Sequence, residues 1–458
     1  MKPAAVRLSD RWKTTLWLTA SLALSAVSTI LAIDDFEFPP ISYSDTTPND
    51  RITQLQGDTK SGKLKFTQKS EKEFVGALLK ELKIPVSSQA LVFSKTSLQT
   101  SAISPGQPRA IYFNEEIYFG WTRNRDLEIM AADPKLGVSF YLIHRDPKTS
   151  ELSYEQHSDE CFSCHASGRT GGRPGMVVRS VLADAKGFPI FSAGSYTTEQ
   201  SSPIAERWGG WYVTGQHGEL RHMGNAIAVE VEKEKGGAKI DREAGANMDM
   251  EDMGEFINPA DYLVPSSDIV ALMVLEHQVG MHNRLIEGNY VVRKAIYRDQ
   301  EISRELDEKR KGFSDTTRRI IDHQAERILN YLLFADEVEL TGGGLDSEST
   351  FVEDFQHNAR VSKDGRSLKD FQLLKRIFKY RCSYMIYSTA FESLPKPLKS
   401  KIYQRLGEVL KGEDTSEDYT YLKESERKRI LNILIETLPD APADWKSGKS
   451  EKGVTASK

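Results

Sequence analysis

One short segment carries two cysteines and a histidine at a spacing that binds a cofactor. Cys161, Cys164 and His165 lie in the run Cys-Phe-Ser-Cys-His, a pattern that occurs once in 458 residues. C-x-x-C-H is the spacing of c-type haem attachment, in which two thiols reach the two vinyl groups and the histidine ligates the iron from the same short turn. We therefore expect one covalent haem c on Cys161 and Cys164, with His165 as an axial ligand of its iron.

Two other kinds of site also begin with C-x-x-C. A thioredoxin-type dithiol is expected in a β-α-β context, whereas this motif is followed by the loop sequence ASGRTGGRPG. A four-cysteine zinc ribbon needs a second C-x-x-C, and the remaining cysteine, Cys382, stands alone. Cys382 lies among aromatic residues and is predicted to be a small core residue. The sequence thus favours haem over zinc or a redox dithiol.

The residue on the opposite side of the iron decides the chemistry. A Met or His ligand gives a closed iron suited to electron transfer, and an open position admits peroxide or another small ligand. Three candidates follow the motif: His222 and Met223 in a glycine-flanked loop, and His277 in a segment predicted to be helical. The sequence does not decide between these residues and an open position.

Arginines near the motif are candidates for holding the haem propionates, because guanidinium groups pair well with carboxylates. Arg169 and Arg173 directly follow the motif, and Arg207 and Arg221 flank the stretch RWGGWYVTG. No catalytic residue is predicted, because no nucleophile, base and orienting group can be assigned from the spacing alone.

Hydropathy patterns place the motif in a β-rich region followed by helices, so we predict an α+β fold with a β-rich haem-bearing N-terminal region packed against an all-helical C-terminal half. Alternating apolar runs with turn residues between them continue from about residue 85 to 232. Helices are predicted over 266–297, 315–336, 367–379, 382–391, 395–411 and 423–437. The predicted organisation is a signal peptide or anchor (1–33), an irregular lead-in with a short helix (34–84), the haem domain (85–255), the helical region (256–440) and a disordered tail (441–458).

The amino terminus predicts export. Residues 2–13 contain four basic side chains, and residues 14–33 form an uncharged, largely apolar run. This is the pattern of a signal peptide, and a run of this length would also suffice as a membrane anchor. We expect a periplasmic or otherwise exported protein, with residues 14–33 either cleaved or retained as a tether to the inner membrane. A net charge of −5 without basic–aromatic clusters argues against nucleic-acid binding.

Several blocks resemble a family of large, exported, single-haem c-type cytochromes, most of them uncharacterised. The similar blocks contain the haem motif, the stretches RWGGWYVTGQHGELRHMGN and LEHQVGMHN, and the segment FKYRCSYMIYS. They are scattered between about residues 86 and 400. The resemblance implies haem attachment through Cys161 and Cys164 with His165 as axial ligand, and it implies neither a substrate nor a distal ligand.

The sequence leaves three functions open. The first is electron transfer by a cytochrome c to or from a redox partner protein. The second is a haem enzyme with an open iron site, because a single-haem carrier does not need more than 400 residues. The third is a haem-based sensor or a scaffold whose helical half binds another protein.

Overall fold

The computed structural model describes residues 35–156, 159–228, 230–234, 237–240, 253–307 and 311–446. The predicted signal peptide or anchor (1–33) lies outside the described residues. Among the helices of the described part, none is both long and apolar enough to cross a membrane.

The N-terminal half is built on a six-stranded antiparallel sheet whose strands are paired in chain order. Short corners at 114–116 and 134–136 join its central strands. The strands are β1 (Ala90–Val92), β2 (Arg109–Phe113), β3 (Ile117–Trp121), β4 (Leu127–Asp133), β5 (Gly137–Arg145) and β6 (Leu152–Gln156).

Side-chain alternation gives this sheet two different faces. We call one the sealed face: Tyr112, Phe119, Trp121 and Ile129 are buried there in a cluster with two helices, α1 (Arg51–Lys60) and α2 (Glu71–Glu81). Asp50 caps α1, and a capping box between Ser70 and Glu73 begins α2. Each large apolar side chain buried on this face contributes about 1.5–3 kcal/mol, so the sealed face anchors the sheet.

The opposite face, which we call the cleft face, is only partly covered. At one end, Phe113, Tyr118 and Phe140 are buried in the core that the sheet shares with the C-terminal helices. At the other end, Arg109 on β2 and Glu128 and Met130 on β4 remain half-buried. Their neighbours on the same strands that point to the sealed face are buried. The cleft face therefore carries an open, partly polar area beside a packed one.

The segment between the sheet and the helical half contains short elements. The motif forms helix α3 (Asp159–His165) directly after β6. Two-residue strands follow, with β7 pairing antiparallel to β9 and β8 parallel to β10. The short strands are β7 (Arg179–Ser180), β8 (Ala183–Asp184), β9 (Tyr196–Thr197), β10 (Ile227–Ala228), β11 (Glu230–Glu234) and β12 (Gly237–Ile240).

The C-terminal half is helical and is organised around one long helix. That helix, α4 (Ile269–Glu305), begins at Asp268, whose side chain accepts hydrogen bonds from the amides of Val270 and Ala271. Every residue from 269 to 282 is buried, as its all-round apolar start predicted. The later helices are α5 (Asp315–Leu332), α6 (Phe351–Gln356), α7 (Thr389–Glu392), α8 (Lys396–Lys411), α9 (Glu424–Thr437) and α10 (Ala443–Lys446).

Two predicted helices are wrong. Residues 367–379 are irregular because their carbonyls bond to another segment: Lys375 accepts from the amide of Leu340 and Leu373 from that of Leu345. The predicted helix over 382–391 is divided into a 3-10 turn and the four-residue α7, because Ser388 between them is extended.

The α+β class is confirmed: an antiparallel sheet occupies the N-terminal half and helices occupy the C-terminal half. One continuous cluster of buried residues extends from Ala90 on β1 to Trp445 on α10. The two halves therefore share a core. Because Trp445 is buried, the predicted disordered tail does not begin at residue 441, and residues 447–458 lie outside the described part.

Candidate haem site

The three motif side chains open into one cleft on the cleft face of the sheet. Its floor is formed by strands β2 to β5, and its walls are α3, the loop 96–98, the segment 177–179 and Trp211. The cleft has an enclosed volume of about 200 Å³ and is open to solvent at its mouth. The three motif side chains therefore border an open cavity.

Helix α3 is fixed to the sheet by one aromatic residue inside the motif. The ring of Phe162 makes edge contacts with Phe36, Tyr43 and Phe140 at centroid distances of 5.0, 5.1 and 6.0 Å. Edge-to-face pairs of this kind add about 0.5–1.5 kcal/mol each beyond burial. Packing of Phe162 leaves the two cysteines on either side of it directed to the cleft, Cys161 half-buried and Cys164 exposed.

His165 is held in the tautomer that an iron ligand requires. Its Nδ1 lies 3.0 Å from the carbonyl oxygen of Gly175, and because a carbonyl only accepts, Nδ1 carries the proton. Among the described residues Nε2 has no hydrogen-bond partner, and the side chain of His165 lines the cleft. Burial lowers the pKa of His165 to about 4, which keeps the imidazole neutral, as metal ligation requires.

The carbonyl that fixes His165 is itself held by helix α4. The side chain of Asn283 accepts from the Met176 amide at 2.9 Å and donates to the Met176 carbonyl at 2.8 Å. A Cβ on Gly175 would come within 2.8 Å of the Asn283 side-chain oxygen, so only glycine fits this close approach. Such second contacts orient metal-ligating histidines and raise their basicity.

The surroundings of Cys161 favour its neutral thiol form. Burial, with the Glu128 and Glu160 carboxylates nearby, raises the pKa of Cys161 to about 12. A redox-active C-x-x-C instead lowers the pKa of its attacking cysteine to stabilise a thiolate. The thioether formed on haem attachment is uncharged. The surroundings of Cys161, which disfavour a negative charge, therefore fit haem attachment better than dithiol chemistry.

Charged side chains lie on the floor and at the rim of the cleft. On the floor, Arg109 and Glu128 form an ion pair at 2.5 Å, with both side chains largely shielded from solvent. At the rim, Arg169 and Arg179 line the same cleft. Desolvation and the neighbouring charge of Arg169 lower the pKa of Arg179, so an anionic group between the two arginines would be favoured there.

The candidate distal ligands His222 and Met223 lie outside the residues that line the cleft. His222 is buried with its ring 5.2 Å from Trp208 and 4.8 Å from His217, and its Nδ1 accepts from the Gly224 amide. Met223 packs in a small separate cluster. The side chains of His222 and Met223 thus pack away from the cleft, and the structure does not bring them together with His165.

The third candidate distal ligand, His277, also lies away from the cleft, and both of its ring nitrogens are engaged. Nδ1 lies 2.7 Å from the Gln200 side-chain oxygen and Nε2 lies 2.7 Å from the Ser383 hydroxyl. Its ring stacks on Phe334 at 4.4 Å. A histidine bonded at both nitrogens in a packed core has no lone pair to offer, so this candidate is not supported.

Of the four candidate propionate contacts, only Arg169 lines the cleft. Arg207 is fully buried and pairs with Glu276 at 2.7 Å, because a guanidinium in the core must be neutralised. Arg173 lies 3.8 Å from Glu287 on α4, and Arg221 is exposed and is not among the lining residues. Cys382 is buried as predicted, and burial raises the pKa of its thiol.

Four cleft residues were missed from the sequence: Arg109, Glu128, Met130 and Arg179. Three of them precede the motif by more than 30 residues, whereas the candidates were sought after it. A signal was present, since Glu128 and Met130 alternate with apolar neighbours in the run LEIMAAD, which marks a strand with one uncovered face.

Within the described residues, no group of three or more His, Cys, Asp or Glu side chains is arranged to hold a metal ion. Comparison of the chain with protein-family models, with curated proteins and with solved structures found no match.

Proposed function

We propose that this chain is an exported c-type cytochrome that carries one haem covalently on Cys161 and Cys164 and acts in electron transfer. One observation carries the proposal. The two thiols and the side chain of His165 line a single cleft that is open to solvent, and Nδ1 of His165 is bonded to the Gly175 carbonyl. The uncharged run over residues 14–33 supports export, because it is typical of a signal peptide.

Haem held in this way supplies a one-electron iron couple. The chain supplies the setting: Ile111 and Phe140 give the cleft an apolar floor that keeps water away from the iron ligand. Arg169 and Arg179 provide positive charge for the propionates, which relieves the repulsion between the two guanidinium groups. Cys164 is exposed, so a group attached to it would be accessible to a redox partner protein.

One observation favours a second candidate, a haem enzyme with an open iron site. The Arg109–Glu128 pair lies inside the same cleft, and the Nε of Arg109 and one oxygen of Glu128 are buried without a hydrogen-bond partner among the described residues. A cation and a carboxylate beside an open iron are suited to orienting and protonating a small bound ligand. Electron transfer remains the preferred function because it needs no such ligand.

The covalent haem is tested by changing the two thiols. We expect the full chain, produced with c-type maturation machinery, to keep haem after denaturation, and Cys161→Ala with Cys164→Ala to lose it completely. Haem-linked absorbance on a denaturing gel is the measurement. Cys382→Ala is the matched control, because its buried thiol lies outside the cleft, and it should keep full haem loading. A double variant that still carries covalent haem would overturn the proposal.

The two candidate functions differ in the state of the iron. Electron transfer predicts a low-spin ferric haem whose reduced form does not bind carbon monoxide. An enzyme with an open site predicts a high-spin ferric haem and a ferrous form that binds carbon monoxide readily. Absorption spectra of both oxidation states decide between them.

A further inference from the structure

Strand β4 brings one methionine onto the floor of the haem cleft. Along β4, Leu127, Ile129 and Ala131 are buried in the sealed face, whereas Glu128 and Met130 are only half-buried and line the cleft. Met130 is thus the methionine among the residues that line the cleft. Its partial exposure comes from the open cleft above it, since its neighbours on the strand are covered.

Strand register places Met130 beside the proximal histidine. Met130 pairs directly with Phe140 on β5 and with Tyr118 on β3, and directly opposed side chains of an antiparallel pair stand about 4.5–5.5 Å apart at Cβ. The ring of Phe140 in turn lies 5.3 Å from the imidazole ring of His165. His165 and Met130 therefore both contact the volume next to Phe140, one from α3 and one from the sheet.

Three other cleft side chains that could ligate iron already have polar partners. The Tyr118 hydroxyl is bonded to His282 and to Gln278, each at 2.9 Å. Glu128 is neutralised by Arg109. The Tyr141 hydroxyl donates to Asp50 at 2.6 Å on the sealed face. Met130 has no competing polar contact to give up, because a thioether accepts hydrogen bonds only weakly.

We propose that Met130 is the second axial ligand of the haem iron, opposite His165, an assignment that rests on the covalent haem proposed above. A thioether is a soft, neutral ligand that closes the sixth position and raises the reduction potential relative to histidine. It lies 31 residues before Cys161 in the chain and is carried by a β-strand, so the pairing of β4 with β5 sets its position. The open site then becomes a closed electron-transferring one.

The test compares matched methionine variants of the full, haem-loaded chain. Met130→Leu keeps nearly the same volume and should convert low-spin ferric haem to high-spin, remove the weak methionine-to-iron charge-transfer band, and let the ferrous form bind carbon monoxide. Met130→His should restore a low-spin iron with a lower reduction potential. Met223→Leu, which changes a methionine outside the cleft lining, should leave all of these signals unchanged.

A second measurement begins with the unsubstituted protein. In the reduced chain labelled with ¹³C at its methionine methyl groups, an axial methionine gives a strongly upfield-shifted methyl resonance. We expect one such resonance in the unsubstituted protein, and we expect it to persist in Met223→Leu and to be absent from Met130→Leu.

Four results would count against this assignment, and those that overturn Met130 alone are distinguishable from the one that overturns the covalent haem. A Met130→Leu protein with unchanged spin state, or an upfield methyl that disappears in another variant, would overturn Met130 as ligand and leave the covalent haem intact. A high-spin unsubstituted protein with covalent haem would also overturn it and would favour the enzyme. Absence of covalent haem from the unsubstituted chain would overturn the proposed function itself, and with it this assignment.

Discussion

His165 and His277 are two neutral imidazoles in one molecule, and they differ in what their second nitrogen does. Burial lowers the pKa of His165 to about 4 and that of His277 to about 3. His165 uses Nδ1 on a backbone carbonyl and presents Nε2 to the cleft. His277 uses both nitrogens on side chains of the core. A histidine is available to a metal when its surroundings occupy one nitrogen and leave the other open.

The hydrogen bonds of His277 define its protonation completely. The Ser383 hydroxyl accepts from the Met385 amide at 3.2 Å, so its own hydrogen is free to be donated to Nε2 of His277. Nδ1 of His277 then carries the proton and donates to the Gln200 side-chain oxygen. Both ring nitrogens of His277 are thus used inside the core, which makes His277 a structural histidine in contrast to His165.

The largest expected effect separates these two roles. His277→Leu removes the partners of the Gln200 oxygen and the Ser383 hydroxyl, and each buried polar group left unpaired costs about 1–3 kcal/mol. We expect the free energy of unfolding to fall by about 2–6 kcal/mol in urea titrations, with the spectrum of the folded, haem-loaded protein unchanged. His323→Leu, at an exposed histidine on α5, is the control and should change stability by less than about 0.5 kcal/mol. A changed iron spin state in His277→Leu would contradict the comparison.

Much of the N-terminal fold could be predicted because strand signals are local. Alternating apolar runs predicted a β-rich region over about residues 85–232, and the six-stranded sheet lies within it. The C-x-x-C-H spacing singled out Cys161, Cys164 and His165, and all three line one cleft; haem attachment there stays a prediction.

The proposed distal side of the site depends on tertiary contacts that the amino-acid sequence does not reveal. Met130 gains its position from register across β3, β4 and β5, which is a property of strand pairing. His222 and His277 were attractive because of their residue type and neighbouring glycines, yet burial and hydrogen bonding use them elsewhere. Residues 367–379 show the same limit, because their helical pattern yields to backbone bonds with residues 340 and 345.

A smaller effect follows from pH. The pKa of His277 is about 3 when folded, against an ordinary value of 6.5, so the unfolded chain binds a proton below about pH 6.5 that the folded chain refuses. The contribution of His277 to stability is therefore complete above that pH and is lost as pH falls towards 3. Between about pH 7.5 and pH 5, we expect about 2 kcal/mol of stability loss from this residue.

His277→Gln isolates this contribution, because an amide does not titrate. We expect its unfolding free energy to decline less steeply with falling pH than that of the unsubstituted protein, measured by urea titration at each pH. The difference should reach about 2 kcal/mol at pH 5. Parallel pH profiles for the two proteins would mean that the ring already carries its second proton in the folded state.

The smallest expected effect concerns the support of His165. Asn283→Ala removes both hydrogen bonds to Met176 and loosens the Gly175 carbonyl that accepts from His165. A weaker bond at Nδ1 makes the imidazole a poorer electron donor, so the reduction potential should rise. We expect a change of about tenfold or less in the reduction equilibrium, about 59 mV for one electron, measured by redox titration.

Asn289→Ala is the matched control, because Asn289 lies on the same helix and its amide lies 3.5 Å from the Ser393 carbonyl, away from the motif. Loss of either asparagine lowers stability, but only Asn283 acts through the ring of His165. The potential should therefore rise in Asn283→Ala and stay constant in Asn289→Ala. Equal potentials in both variants would mean that the hydrogen bonds from Asn283 to Met176 do not affect His165 as a ligand. The bond from Nδ1 to the Gly175 carbonyl would then be sufficient by itself to distinguish His165 from His277.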